Sequence, residues 1–280
     1  SEASVQSEIQ VLTRSPRSSS HARLSFHPWS ALPQLLEGAF GVVNLTGEGI
    51  AQGRWTASRK RQLTESRLGP TKRLVEAMAA VASPPKVLVN ASAIGYYGAV
   101  EGTPIDERAP MGTDFLARLC ADWEAEAEQA ERLGVRVVTP RLGVVLARNG
   151  GALPKLAKPV RLFAGAALGH GRQGVSWIHL DDLASLLQEA LFNPAWHGPV
   201  NATAPDPRSH LDLMRLVARR LNRPLWPVPA WLTASALKLT LGEMAETMLL
   251  QGAYVLPRQA QAWDFAFRFP KLEEALEDLL

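Results

Sequence analysis

The chain has 280 residues, of which 46% are hydrophobic and 20% are charged, a balance typical of a globular protein with a large core. Its formal net charge of +3 is too small to indicate a nucleic acid partner. The single cysteine, Cys120, excludes an internal disulfide framework and a cysteine metal cluster. No apolar run reaches the roughly 20 residues of a membrane span. We therefore predict no nucleic acid, metal or membrane partner.

The first residues and the lone cysteine bear on location. Residues 1–8 are polar and lack the hydrophobic region of a secretory peptide. A single cysteine also fits a reducing compartment. We predict a cytoplasmic protein, or one in an organelle stroma or matrix if a targeting segment has been removed.

Short apolar, β-branched runs alternate with helical patterns in the first half of the chain. Pro140 and Arg141 interrupt the last of these runs, and Glu124 is assigned to the outer face of the second helix. The order predicts an α/β fold with a doubly wound parallel sheet, Rossmann-like in type. Strands are predicted at 9–13, 39–45, 87–90 and 135–146, and helices at 56–81 and from 112 or 113 onwards.

The character of the sequence changes near Pro154. Glycines become dense, prolines then recur, and amphipathic helical pieces follow, with Asp181 or Asp182 predicted to cap a helix that runs to residue 191. We predict a nucleotide-type domain at 1–153 and a smaller mixed region at 154–280, part of which returns to the sheet.

Two stretches follow predicted strands and carry groups suited to ligands. Ser92 and the Tyr96–Tyr97 pair come directly after the strand at 87–90, and ligands of open α/β sheets bind beyond the carboxyl ends of the strands. The alternative is a tyrosine-bearing loop that only packs. Arg14 follows the first strand and suits a phosphate, although a solvated basic loop would look the same.

Several motifs in the same order resemble an atypical extended short-chain dehydrogenase/reductase. The resemblance is to the NAD-dependent epimerase/dehydratase-like "epimerase family" branch, whose members are often described as sugar-nucleotide epimerases or cell-division inhibitors. The motifs are Val-Asn-Leu-Thr-Gly-Glu at 43–48, Ser-Ala-Ile-Gly-Tyr-Tyr-Gly at 92–98, Trp-Glu at 123–124, Arg-Leu-Gly-Val-Val-Leu at 141–146, and Trp-Ile-His-Leu-Asp-Asp at 177–182.

The resemblance implies a Rossmann domain that binds NADP(H). Arg14, in place of an acidic residue, favours NADP over NAD, because a carboxylate would repel the additional phosphate. Matched position by position, the residues expected to bind the cofactor are Thr13, Arg14, Leu45, Thr46, Gln62, Arg67 and Val145.

The sequence departs from the family pattern in two places. The Tyr-x-x-x-Lys pair that transfers protons in active relatives is replaced by Phe115 and Leu119, or by Leu116 and Cys120 one residue on. The glycine-rich strand-turn-helix expected before residue 9 is not in the sequence. We expect that segment in the full protein, since the sheet would otherwise lack its central strand. The alternative is a protein that completes its sheet differently and binds dinucleotide poorly.

Other groups could still carry chemistry. Ser92 holds the position of the family's hydrogen-bonding serine, which orients a substrate oxygen, and Tyr96 could supply a proton in place of the missing tyrosine. Tyr97 is expected to pack as a turn residue. Arg141 could hold an anionic substrate, with an internal ion pair as the alternative.

Two further residues are candidates for binding substrate. Arg172 could contact a substrate phosphate from its glycine-rich loop. His179 resembles a proton-transfer group, but this motif mostly fixes the junction with the substrate domain in relatives, so a structural role is the alternative.

We therefore predict an NADP-binding oxidoreductase or epimerase that acts on a small carbonyl or hydroxyl compound. The alternative is a catalytically degenerate Rossmann scaffold that serves as a regulatory or structural subunit. Either form could be a homodimer or part of a larger assembly, and retained sugar-nucleotide epimerase activity is a third possibility.

Overall fold

The computed structural model describes residues 8–15 and 17–280. The strands are β1 Ile9–Leu12, β2 Leu24–His27, β3 Gly41–Asn44, β4 Val87–Asn90, β5 Ser92–Ala93, β6 Arg136–Leu142, β7 Val144–Ala147, β8 Gly150–Gly151, β9 Gly174–Val175, β10 Trp177–His179, β11 Gly198–Ala202 and β12 Arg208–Ser209. The helices are α1 Leu32–Leu36, α2 Ala57–Ala80, α3 Phe115–Glu128, α4 Leu153–Arg161, α5 Leu180–Phe192, α6 His210–Arg220, α7 Ala230–Leu241, α8 Glu243–Ala245, α9 Arg258–Ala262 and α10 Leu272–Leu279.

The central sheet is parallel and has the strand order β11-β6-β4-β3. Every residue of β4 is buried, because helices cover both faces of this strand. Leu88 points into a cluster with α1, α2 and α3, whereas Val87 and Val89 point into a cluster with α5 and β11. The predicted doubly wound α/β fold is therefore confirmed.

The strand predicted to break at Pro140 is continuous in the structure. β6 pairs with β4 up to Val138 and with β5 from Arg141 onwards, so Pro140 lies where β6 changes partner. The missing N–H of proline is tolerated at such a gap in a sheet ladder. The predicted interruption was wrong.

In the described residues, three smaller groups of strands lie outside the central sheet. β1 and β2 form a parallel pair of their own, and Leu12 at the end of β1 packs against the cluster that contains α2. Within the described residues, β3 pairs with a strand on one side only. β7 pairs in parallel with β10, and β9 pairs with β12, beside a second core formed by α4, α6 and α10.

The region after residue 153 does not stand apart from the sheet, since its strand β11 pairs with β6. The predicted boundary near that residue stays a prediction. No helix in the described ranges is both long and apolar enough to cross a bilayer. The same part of the chain holds no cluster of three or more metal-ligating side chains.

Candidate active site

A buried network of amides and hydroxyls lies at the carboxyl ends of β3 and β4. Asn44 and Asn90 are register neighbours, and Asn44 Nδ2 donates to Asn90 Oδ1 at 2.6 Å and to Thr71 Oγ1 at 2.9 Å. Asn44 Oδ1 accepts from both the amide and the hydroxyl of Thr46. Trp123 Nε1 also donates to Thr71. This network fixes the start of the loop that leaves β3.

A second buried network lies beside it and centres on a carboxylate. Glu124 Oε1 accepts from Ser92 Oγ at 2.6 Å and from Arg141 Nε at 2.9 Å. Glu124 Oε2 accepts from Arg141 Nη2 at 2.8 Å. Glu124 is 5% exposed and Arg141 is 3% exposed. The sequence-based assignment of Glu124 to the outer helix face was wrong, because it is the counter-ion of a buried arginine.

Arg141 has the internal ion pair that was the alternative to substrate binding. Burial opposes its charge, but the hydrogen bonds and charge of Glu124 raise the pKa of Arg141 overall. A direct contact of Arg141 with a substrate stays a prediction. Ser92 is only 1% exposed and donates its hydroxyl hydrogen to Glu124, so its contact with a substrate also stays a prediction.

Tyr97 extends this network towards β11. Its hydroxyl accepts from Arg141 Nη1 at 2.9 Å and donates to Asn201 Oδ1 at 2.7 Å. Burial raises the pKa of Tyr97 to about 12, above the opposing influence of Arg141. Tyr97 is therefore a neutral hydrogen-bonding residue, which agrees with the packing role predicted for it.

Tyr96 differs from its neighbour in having an unpartnered hydroxyl. It is half-buried, and its hydroxyl makes no hydrogen bond to any residue that the structure describes. Its ring lies on the face of the Arg141 guanidinium, with Cζ 3.5 Å from the ring centroid. The Tyr96 phenol is thus free to meet a ligand at the carboxyl edge of the sheet.

The turn that carries both tyrosines depends on two glycines. Gly98 has a φ of 65°, in the region that favours glycine. A Cβ on Gly112 would lie 2.7 Å from the carbonyl oxygen of Tyr97. The chain from 98 to 112 therefore passes close enough for the Gly112 amide to donate to Tyr96 O.

Arg67 and Gln62 make contacts within the protein. The Arg67 guanidinium donates to Glu48 O, Leu63 O and Ser66 Oγ, and burial is the main cause that lowers its pKa. Arg67 therefore holds the loop after β3. Gln62 is exposed on α2, where Oε1 accepts from Arg59 at 3.3 Å. Their contact with a cofactor stays a prediction.

The other residues predicted on the cofactor side are more open. Leu45 follows β3 with its side chain 59% exposed, and Thr46 is half-buried beside it. Arg14 follows β1, is exposed, and makes no ion pair within the described ranges. The predicted contacts of Arg14 with the phosphate of NADP and of Leu45 with its rings stay predictions. The Thr13 hydroxyl bonds to Ser15 in the same turn, and the Thr13 amide donates to His27 O.

The glycine-rich segment expected before residue 9 would lie in residues 1–7 or upstream of residue 1. Residues 1–7 lie outside the described ranges. It stays a prediction.

The remaining candidates, Val145 and Arg172, lie in β7 and in the loop before β9, outside the central sheet. Val145 pairs with Ile178 in the β7–β10 ladder and packs beside the α5 cluster. Arg172 is exposed, and its carbonyl accepts from the hydroxyl of Tyr254. Among the described residues, no hydrogen bond joins either of them to the Glu124 network.

His179 has the structural role that was its alternative. It is buried, its Nδ1 accepts from the amide of Asp181, and its ring packs on Phe269. His179 itself therefore caps α5, and the predicted cap at Asp181 or Asp182 was wrong. Asp182 accepts from the amides of Arg268 and Phe269 at 2.7 and 3.0 Å.

The positions matched to the missing Tyr-x-x-x-Lys pair lie in an apolar cluster. Leu119 is buried with Trp55 and Leu63, and Phe115 packs edge-on against Trp55 at 5.6 Å. Met244 of α8 is buried in the same cluster. The segment that contains α8 thus packs against the helix positions matched to that pair.

The sequence contained signals for the residues that were missed. Glu124 stands on the buried face of α3 at helical spacing from Ala117, Cys120 and Ala127, so it interrupts an apolar stripe. Asn44 ends the partly buried β3 and Asn90 ends the buried β4, positions that suit a polar network at the sheet edge. Asn201 had no comparable signal.

A parallel sheet covered on both faces, with polar side chains at the carboxyl ends of its strands, defines the Rossmann-like class of α/β proteins. More narrowly, the chain belongs to the family described as "NAD dependent epimerase/dehydratase family", whose sequence model matches residues 4–200. Residues 228–279 match a second model, described as a domain of unknown function, DUF1731.

Three known proteins illustrate the similarity. The epimerase family protein SDR39U1 homolog, chloroplastic, of Arabidopsis thaliana is 40% identical over 248 residues, 88% of this chain and 70% of the relative. Epimerase family protein YfhF of Bacillus subtilis is 34% identical over 278 residues, 97% of this chain and 89% of the relative. The crystal structure of human epimerase family protein SDR39U1 (isoform2) with NADPH matches with a TM-score of 0.86 and 30% identity, over 97% of this chain and 90% of that chain. The predicted resemblance is confirmed.

Proposed function

We propose that the protein binds NADP(H) and acts as an oxidoreductase or epimerase on a small carbonyl or hydroxyl compound. The observation that carries the proposal is the unpartnered phenol of Tyr96, which lies on the face of Arg141 at the carboxyl edge of the sheet. Ligands of Rossmann-like sheets bind at that edge. The human relative with NADPH supports the choice of cofactor, as does Arg14, whose guanidinium is exposed and makes no ion pair with any residue that the structure describes.

The residues of the site divide into a proton donor and its support. A bound nicotinamide cofactor would supply the redox equivalent of the reaction. Tyr96 would donate its proton to a carbonyl oxygen, or receive one from an alcohol. Tyr97 keeps its proton, since its pKa is raised to about 12, and it serves the network. Arg172, exposed in its loop, is the proposed contact for a substrate phosphate.

The cofactor preference is testable by calorimetry with NADPH and NADH on the full chain. R14A is expected to weaken NADPH binding by about tenfold to a hundredfold, the worth of one charge-assisted hydrogen bond, and to leave NADH binding unchanged. R17A, which removes an exposed arginine from the same loop, is the matched control. An equal loss for both nucleotides would refute the role of Arg14, and no binding of either to the unsubstituted chain would refute the function.

A scaffold function is the second candidate. It is supported by the apolar cluster around Phe115 and Leu119 and by the use of the Ser92 hydroxyl within the fold. NADPH oxidation with a panel of small aldehydes and ketones separates the two. Turnover that is lost in Y96F supports the enzyme, whereas NADPH binding with no turnover on any substrate supports the scaffold. We place the protein in the cytoplasm or an organelle stroma, in keeping with the chloroplastic relative.

A further inference from the structure

The Tyr96 phenol has no hydrogen bond to any described residue, so its position depends on what touches its ring. Two neighbours fix the position of the Tyr96 ring. The Arg141 guanidinium lies on its face, and the Tyr97 ring lies edge-on to it with 5.4 Å between the ring centroids. Tyr97 is itself held by Arg141 Nη1. An apolar cluster around Val255 adds packing but offers the hydroxyl no partner. Asn201 also accepts from the Tyr97 hydroxyl, and the Arg141 guanidinium is the polar group that contacts both tyrosines.

That guanidinium is fixed in turn by a single carboxylate. Glu124 accepts from two nitrogens of Arg141, which sets the plane of the guanidinium as well as its position. The same carboxylate accepts from Ser92, which ties α3 to the strand that carries the tyrosine turn. We propose that Glu124 is the positioning residue for the Tyr96 phenol, acting through Arg141. The proposal rests on the proposed function of Tyr96 as proton donor.

Only a carboxylate at position 124 satisfies all three donors. A glutamine of the same shape has one acceptor oxygen, and its NH₂ group would face an N–H of Arg141. The Arg141 guanidinium would lose one of its two hydrogen bonds to residue 124, and the orientation of its plane would no longer be fixed. The Tyr96 ring would then lose the surface on which it lies, while the cofactor residues after β1 and β3 would be untouched.

The test uses the full chain with ring-¹³C tyrosine and follows its NMR signals. The chain has three tyrosines, and the Y96F spectrum assigns the signal of Tyr96. E124Q is expected to move the Tyr96 signal towards that of free tyrosine and to leave Tyr254 in place, because the Tyr254 hydroxyl bonds to Arg172 O outside this network. E126Q, on the same helix and without an ion pair in the described ranges, is the matched control.

Because the loss of one charge from a buried pair destabilises a fold, R141K is the second variant. It keeps the charge opposite Glu124 but lacks the planar fork, so the same movement of the Tyr96 signal is expected. An unmoved Tyr96 signal in folded E124Q or folded R141K would overturn the proposal. NADPH calorimetry on the same samples keeps the two questions apart: the absence of NADPH binding to the unsubstituted chain contradicts the proposed function, whereas the tyrosine signals report on Glu124 alone.

With a turnover assay in hand, E124Q is expected to lower kcat by about tenfold to a hundredfold with KM for NADPH unchanged, the signature of a misplaced donor. A parallel rise in the KM for NADPH with an unchanged kcat would overturn the positioning role.

Discussion

At the scale of single residues, His210 is a neutral histidine enclosed by the second part of the fold. It begins α6, is 6% exposed, and its Nδ1 accepts weakly from the amide of Leu168 at 3.4 Å. Its Nε2 has no protein partner in the described ranges. Burial lowers the pKa of His210 from 6.5 to about 4. Since the unfolded chain takes up this proton first, acid favours unfolding.

The stability that His210 contributes is fully present above pH 6.5 and is lost as the pH falls towards 4. Its full size is about 3 kcal/mol, from roughly 1.4 kcal/mol per pKa unit. Urea denaturation between pH 4 and pH 8 measures it. H210N, which keeps an acceptor, is expected to flatten the dependence in this window, and H170N, at an exposed histidine, to preserve it. An unchanged slope in H210N would contradict the assignment.

At the scale of elements, α8 is held against α2 and α3 by two contacts that contribute unequally to the free energy of unfolding. Met244 of α8 is 3% exposed within the Trp55 cluster. Beside it, Lys60 Nζ lies 2.7 Å from the Glu243 carboxylate and 5.0 Å from the Phe115 ring centroid. Both charged side chains are partly exposed, so water weakens their attraction. The apolar contact therefore dominates.

M244A is expected to cost about 2–5 kcal/mol of the free energy of unfolding, because it leaves a cavity in a closed cluster. K60A is expected to cost about 1 kcal/mol or less. Denaturant titrations of the two variants compare these values directly. A larger loss for K60A than for M244A would show that the ion pair, and not the apolar contact, holds α8.

At the scale of the whole molecule, Asp182 joins the end of the chain to its middle. This buried carboxylate on α5 accepts from two successive amides at Arg268 and Phe269, and Phe269 packs on His179. The segment thus anchored leads into α10, which belongs to the core of α4 and α6. Asp182 therefore fastens the segment before the last helix to α5, and the helix itself is held by its apolar face in that core.

D182A would leave two amides without acceptors and is expected to cost about 2–5 kcal/mol of stability. It should also expose the segment before α10 to trypsin, which cuts after Arg258 and Arg268. D181A removes the neighbouring exposed pair with Arg268 and is expected to cost about 1 kcal/mol or less. Denaturation and timed proteolysis measure the stability and the trypsin sensitivity of both variants. Equal effects of D182A and D181A would contradict the role given to the Asp182 hydrogen bonds.

The parts of the fold that local pattern determines were predictable. β4 was recognisable because a strand covered on both faces is apolar, here up to its last residue. The helix predicted at 56–81 was recognisable because Thr56, a residue type favoured at helix starts, accepts from the amide of Arg59 and caps α2. The buried network was not. Glu124 meets Ser92 and Arg141 from 32 and 17 residues away, and a buried charge is stable only with partners that folding supplies.

The cap of α5 was mispredicted for the same reason. Asp182 is a good capping residue by type, but the two amides that it binds lie 86 and 87 residues away. With Asp182 engaged there, His179 takes the position at the helix start. Long-range hydrogen bonds overrode local preference.

The packing of Met244 against Leu119 also has a consequence for protein engineering. A lysine placed at position 119 would enter a site where leucine is 4% exposed, among Trp55, Leu63 and Met244. An ammonium buried among apolar side chains is strongly disfavoured. Building a Tyr-x-x-x-Lys pair at positions 115 and 119 would therefore require α8 to move away from α3, so a redesign of that helix has to include the segment that covers it.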